Sequence, residues 1–213
     1  MTIIFTYNRP EMLSRLLDEV TGIVIDDGSD YDYSPFIGRC DYHRLPHGGK
    51  EYFWSTWNYA LELCKESNSD FFLFLPDDVH DIDIETIHSL HNTLKSDPYA
   101  FNYLNVGHNT GWTPIKPQNV TIDGFNAIRC GFVDCAFFCN RKTLELLDFE
   151  LECISMNRFK SDFISSGVGQ QMSRRLWKKN VKMYIPERSL AVHGDHDSQM
   201  HPEERKLNPL VSR

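Results

Sequence analysis

The run Phe71-Phe72-Leu73-Phe74-Leu75, closed by Pro76-Asp77-Asp78-Val79, constrains this chain more than any other stretch. Five apolar residues in a row, too few for a helix and rich in Phe, read as a strand buried on both faces. That is the pattern of a parallel sheet covered by helices. Proline cannot continue the ladder, so two adjacent carboxylates are placed where the strand emerges. In open α/β sheets the carboxyl ends of the strands are where ligands bind. Two side-by-side carboxylates repel unless positive charge lies against them, and a divalent cation carrying a phosphorylated ligand meets that need. Solvated turn residues are the plainer alternative.

The surrounding sequence supports an α/β domain. Thr2–Thr6 predicts a strand, and Asn8-Arg9-Pro10 predicts a helix start, with Asn8 capping and Met12, Leu13, Leu16, Leu17 and Val20 on one stripe. Gly22 is expected to end that helix. Ile23-Val24-Ile25 predicts a second buried strand running into Asp26-Asp27-Gly28-Ser29, and Asp41–Leu45 a third. Helices are expected over about Tyr52–Glu66, Thr86–Leu94, Asn140–Leu147 and Gly167–Lys179. Strands are expected at Tyr99–Val106, at one or two places in Ile128–Cys139, and at Lys182–Ile185. Residues Gly107–Gln118 carry Gly, Pro and Asn without a period and read as a loop. No repeat or linker divides the 213 residues, so a single domain is expected, residues 1–106 forming one half and 107–213 the other.

Composition excludes several classes. No apolar run approaches a membrane span, the start lacks a signal-peptide pattern, and six scattered cysteines without a CxxC pair fit reduced thiols, so a cytoplasmic location is expected. The net charge of −8 is uneven: residues 1–140 hold 9 Lys and Arg against 20 Asp and Glu, residues 141–213 hold 13 against 10. Tight, sequence-indifferent binding of polyanions by the whole surface is therefore not expected. A local basic cluster remains at Arg174, Arg175, Lys178, Lys179 and Lys182, where a solvated helix face is the plain alternative.

Thr6-Tyr7-Asn8-Arg9-Pro10 after the first strand, Asp26-Asp27-Gly28-Ser29 after the second and Asp77-Asp78 after the Phe-rich one follow one another in a familiar order. In that order and spacing they resemble the nucleotide-sugar glycosyltransferases of the GT-A fold, family 2-like. The resemblance is good over residues 1 to about 80 and weaker from Gly131 to His193. It implies a mostly parallel sheet flanked by helices and transfer of a sugar from a nucleoside diphosphate, with UDP preferred, to a hydroxyl acceptor. Thr6, Tyr7, Arg9, Asp26 or Asp27, Lys50 and Asp77 would meet the nucleotide, while Asp78 and the late His193 would hold Mn²⁺ or Mg²⁺. Arg9 has the alternative of pairing with a neighbouring carboxylate.

The sequence departs from the family at two places. Pro76 stands where a first acid is usual, and Gly167-Val168-Gly169-Gln170-Gln171 has glutamines where an acidic pair is expected. Gln170 cannot accept a proton, so the catalytic base falls to Asp134 first and Asp162 second, unless the reaction is retaining. Trp54, Trp57 and Trp112 are candidates for stacking on sugar or base, although core packing is their commoner use. A saccharide or lipid-linked saccharide acceptor is preferred, with a hydroxymethylated base in DNA as the alternative. A nucleotidyltransferase and a non-catalytic sugar-nucleotide-binding protein are the further readings.

Overall fold

The computed structural model describes residues 1–46, 48–105, 113–153, 156–157, 164–165 and 167–194. The elements in chain order are β1 (Thr2–Thr6), α1 (Pro10–Glu19), β2 (Ile23–Asp26), β3 (Asp41–Arg44), α2 (Gly49–Glu66), β4 (Phe71–Pro76), β5 (Val79–His80) and α3 (Ile84–Leu94). They continue as β6 (Tyr99–Asn102), β7 (Gln118–Ile122), β8 (Phe125–Cys130), β9 (Phe137–Asn140), α4 (Arg141–Leu146), β10 (Met156–Asn157), β11 (Ile164–Ser165), α5 (Val168–Lys178), β12 (Lys182–Pro186) and β13 (Val192–His193). Nine strands form one sheet in the order β3-β2-β1-β4-β9-β6-β12-β8-β7. Only β8 and β9 run against the common direction, so the expected mostly parallel α/β sheet is present.

Alternation along the buried strands sorts side chains onto two faces. Phe72 and Phe74 point into one core with Trp57, Ala60 and Leu61 of α2, Leu144 of α4 and Val168, Met172 and Leu176 of α5. Leu73 and Leu75 point into the other, with Leu13, Leu16 and Leu17 of α1 and Ile87 and Leu90 of α3. β4 is thus covered on both faces, as its unbroken apolar run requires. Each such Phe or Leu contributes roughly 1.5–3 kcal/mol by burial. All six cysteines are free thiols.

Several expected boundaries move. Asn8 does not cap α1. It takes a left-handed φ of 54° and exchanges bonds with Asp30, its Oδ1 accepting from Asp30 N at 2.8 Å and its Nδ2 donating to Asp30 Oδ2 at 3.2 Å. Arg9 becomes the N-cap residue, without a side-chain cap. Gly22 lies beyond the end of α1, and its reason is contact: a Cβ there would stand 2.8 Å from Thr2 O. Helix α2 begins at Gly49, ahead of Tyr52. β6 ends at Asn102, short of Val106, which lies outside the described residues. Of the expected loop, residues 107–112 lie outside the described residues, and Gln118 belongs to a strand, because Gln118–Ile122 pairs with β8 as the sheet's edge strand.

Candidate active site

The chain leaves β1 toward β2 on one side and later places β4 on the other, so sheet order reverses at β1. A crevice opens at such a switch point, outside the carboxyl ends of the strands. Register sets Thr6 opposite Asp26 and Phe5 opposite Pro76. The ladder runs one step further, Asp27 N donating to Thr6 O and Asp77 N to Phe5 O, each at 3.0 Å. Three sequence-distant segments therefore end side by side around a cavity of about 170 Å³. Thr6, Tyr7, Arg9, Asp27, Asp77 and Asp78 line it, as do Phe53 and Thr56 of α2.

Asp77 and Asp78 are both buried and face one guanidinium. Arg9 Nη1 donates to Asp77 Oδ1 at 3.0 Å and to Asp78 Oδ2 at 2.7 Å. Asp77 Oδ2 also accepts from Thr6 Oγ1 at 2.8 Å and from Tyr7 N at 3.3 Å. Burial pushes the Asp77 carboxyl up to about 7, against the pull of Arg9 and with the repulsion of Asp78 added. The positive charge that the adjacent carboxylates demand is supplied here from within the chain.

His193 arrives from far along the sequence. Its two-residue strand β13 pairs antiparallel with β5, and Gly194 N donates to Asp78 O at 2.6 Å. This ribbon sets His193 Nε2 3.6 Å from Asp78 Oδ1. Two ligands of one ion, each about 2.1 Å from it and at right angles, stand about 3 Å apart. The carboxylate and imidazole thus fit a shared divalent ion after a small adjustment. Among the described residues no group of three His, Cys, Asp or Glu side chains forms a ready-made cage. An ion at this position needs further oxygens, such as those of a diphosphate.

The other carboxylate pair is arranged differently. Asp27 lines the cavity, and its oxygens accept from Gly48 N at 3.2 Å, Gly49 N at 3.0 Å and Thr56 Oγ1 at 3.0 Å. It thereby caps α2 from another strand, which is why that helix starts at Gly49. Asp26 is fully buried and is not among the residues lining the cavity. It accepts from Ser29 N at 3.0 Å, from Ser29 Oγ and from Tyr42 Oη at 2.6 Å. Of the two candidates for a nucleotide contact, Asp27 alone stands at the cavity. Lys50 is the second residue of α2, and its side chain lies outside the described residues.

Asp134 is half-buried beside the first turn of α5. A Cβ on Gly169 would stand 2.9 Å from Val133 O and 3.7 Å from Asp134 Oδ1, so glycine permits this approach. Fully buried Asn102 fixes the segment, accepting from Asp134 N at 2.8 Å while donating to Phe132 O and Tyr184 O. Asp134 Oδ1 accepts from Cys135 N at 2.8 Å. The charges of Asp78 and Asp134 both bear on the hydroxyl of Tyr103, whose ionisation burial already pushes far upward. Gln170 is half-buried in the first turn of α5. Gln171 is tied to the backbone of Glu152 in both directions. Asp162 and Trp112 lie outside the described residues.

Trp57 is fully buried against Phe5, Phe74 and Phe137, which makes it core. On α2 the ring that does line the cavity is Phe53, one helical turn earlier, with Thr56 beside it. Their i, i+3 spacing on α2 was the signal available in the sequence. The basic cluster sits elsewhere. Lys182 pairs with Tyr99 at the starts of β12 and β6, the end of the sheet opposite the strand ends that build the site. Lys182 bonds to Asp97, and Arg175 to Leu147 O and Glu150 O.

No family model and no curated protein matches this chain. Two solved structures of S. aureus TarS, a GT-2-type glycosyltransferase, share its fold. The structure of TarS 1-349 gives a TM-score of 0.55 at 14% identity, covering 91% of this chain and 59% of that one. The second TarS structure gives 0.54 at 14% identity, covering 97% and 38%. This chain thus spans well under two thirds of the proteins it resembles. Sheet order, helix layers and these neighbours together make the fold a mostly parallel α/β sheet of the GT-A type.

Proposed function

We propose that this chain transfers a sugar from a nucleoside diphosphate, with UDP preferred, to a hydroxyl of a saccharide or lipid-linked saccharide. The observation that carries the reading is the convergence of Asp77, Asp78 and Arg9 on one cavity at the switch point of the sheet, with His193 Nε2 brought to 3.6 Å from Asp78 Oδ1. The fold shared with TarS supports a glycosyltransferase.

In this reading Asp78 and His193 would hold Mn²⁺ or Mg²⁺, which would supply charge neutralisation at the leaving diphosphate. Phe53 offers a ring face beside the base, and Asp27 keeps the start of α2 against the nucleotide through Gly48 and Gly49. Thr6 orients Asp77 from beneath. Asp134 takes the proton of the acceptor hydroxyl: its carboxylate is half-exposed beside the first turn of α5, outside the residues that line the cavity, and Asn102 holds its backbone. Gln170, with no proton to exchange, serves as a hydrogen-bonding contact for the acceptor.

Titration calorimetry of UDP with and without Mn²⁺, on wild type and Asp78→Ala, tests this assignment. Binding is expected to need the metal and to be lost in the variant. Equal affinity under all four conditions removes the metal site, and no UDP binding at all removes the function. Of the basic cluster, Lys182 stands at the end of the sheet opposite the site, so it gives a DNA acceptor no support there.

A further inference from the structure

The position of Arg9 carries an inference that rests on the metal reading and extends it. Arg9 Nη1 stands 2.7 Å from Asp78 Oδ2, and the side chain is only 12% exposed, so the guanidinium is seated against the carboxylates. His193 approaches the same carboxylate from its other oxygen, at 3.6 Å. A divalent ion on Asp78 and a guanidinium at hydrogen-bond distance from it are like charges at close range, with little water to screen them.

We propose that Arg9 is an internal counter-ion that exchanges with the divalent ion. It holds the Asp77–Asp78 pair while the nucleotide is away, and it yields Asp78 when metal and nucleotide enter together. The cavity it lines is the one the diphosphate would occupy, so the displaced guanidinium has an anionic partner within reach. Metal alone must compete with Arg9, whereas metal with a diphosphate gives Arg9 a new partner. Metal and nucleotide are therefore expected to bind with positive coupling, and by linkage each raises the other's affinity by the same factor.

The backbone around Arg9 is built to keep the side chain in this role. Arg9 N donates to Tyr33 Oη at 3.2 Å and Asn8 N to Ser29 Oγ at 2.9 Å, which fixes the main chain. Exchange then moves the side chain and leaves the main chain in place.

The test is Mn²⁺ binding without substrate, followed by paramagnetic resonance of the free ion, on wild type, Arg9→Met and Arg9→Lys. Arg9→Met is expected to bind Mn²⁺ at least about tenfold more tightly than wild type in the absence of nucleotide, and to show a smaller enhancement by UDP than wild type, keeping only the part that the diphosphate oxygens supply as ligands. Arg9→Lys keeps the charge and a foldable site, and should fall between the two. In wild type the Arg9 Nε–H resonance, assigned by its absence from Arg9→Lys, should shift as Mg²⁺ and UDP are added together. Unchanged or weaker Mn²⁺ binding by Arg9→Met, or an unmoved Arg9 resonance, overturns the exchange while UDP-dependent Mn²⁺ binding by wild type leaves the metal reading standing. No Mn²⁺ binding by wild type with UDP overturns both.

Discussion

Asp26-Asp27 and Asp77-Asp78 are the same dipeptide at the ends of two strands that flank β1, yet they are built for different work. The first pair is surrounded by backbone N–H groups and hydroxyls from Ser29, Tyr42, Gly48, Gly49 and Thr56, with Arg44 Nε no nearer than 3.7 Å to Asp26. The second shares one guanidinium and faces a histidine. Donors fixed by the fold cannot leave, so Asp26, fully buried and held by Ser29 and Tyr42, is committed to the fold. A mobile cation can be replaced, so a carboxylate held that way remains available for binding. The partners, more than the acids themselves, separate a structural pair from a chemical one.

The largest expected effect lies on the second pair. Asp78→Ala should lower the transfer rate by about 10³-fold or more, the scale of losing charge stabilisation at a leaving group, while urea unfolding shifts by about 1 kcal/mol or less because Arg9 keeps Asp77. A variant whose activity and stability fall together would erase the contrast. Asp26→Ala should do the reverse and cost about 3 kcal/mol in urea unfolding, since it strands the buried donors of Ser29 and Tyr42. Unfolding at wild-type denaturant concentration would break the comparison from the other side. Tyr42→Phe sharpens it by removing a single neutral donor, with an expected cost of about 1 kcal/mol and metal binding unchanged.

The smallest effect is on alkaline stability. Burial raises the ionisation of Tyr42, Tyr99 and Tyr103 above their ordinary value of 10.0, with the Asp26 bond adding at Tyr42. Groups raised in the folded state contribute stability that is complete below the unfolded value and is lost as pH climbs past it. The 295 nm absorbance that Tyr99→Phe or Tyr103→Phe removes from wild type should therefore be the part that appears only as the chain unfolds above pH 10, and a difference already present in the folded protein would contradict their burial.

The strand-end motifs were legible because their cause is local: apolar runs of strand length, each ending in Pro, Gly or acid. β4 is the clearest case, since both faces are buried and no period competes. β7 was hidden for the opposite reason. Gln118-Asn119-Val120-Thr121-Ile122 lies at a sheet edge with mostly exposed side chains, and its pairing with β8 carries it without a hydrophobic signature. The start of α2 was misplaced because its cap comes from Asp27, on a different strand. The pairing of Arg9 with both Asp77 and Asp78 was foreseen only as an alternative, since nothing in the local sequence decides between a carboxylate and a phosphate as its partner. Asn8 was misread because its left-handed turn answers to Asp30.

The two-strand ribbon that carries His193 to Asp78 has a consequence for synthesis. At about 5–20 residues per second, the ribosome releases Asp77 and Asp78 several seconds before His193. During that interval β1, β2 and β4 can already pair, and the acids they bring to the sheet end have a partner in Arg9, encoded at the front of the chain. The nascent half is thus spared an unneutralised acidic cluster, and the histidine is added last, zipped on by backbone bonds from β13 and Gly194.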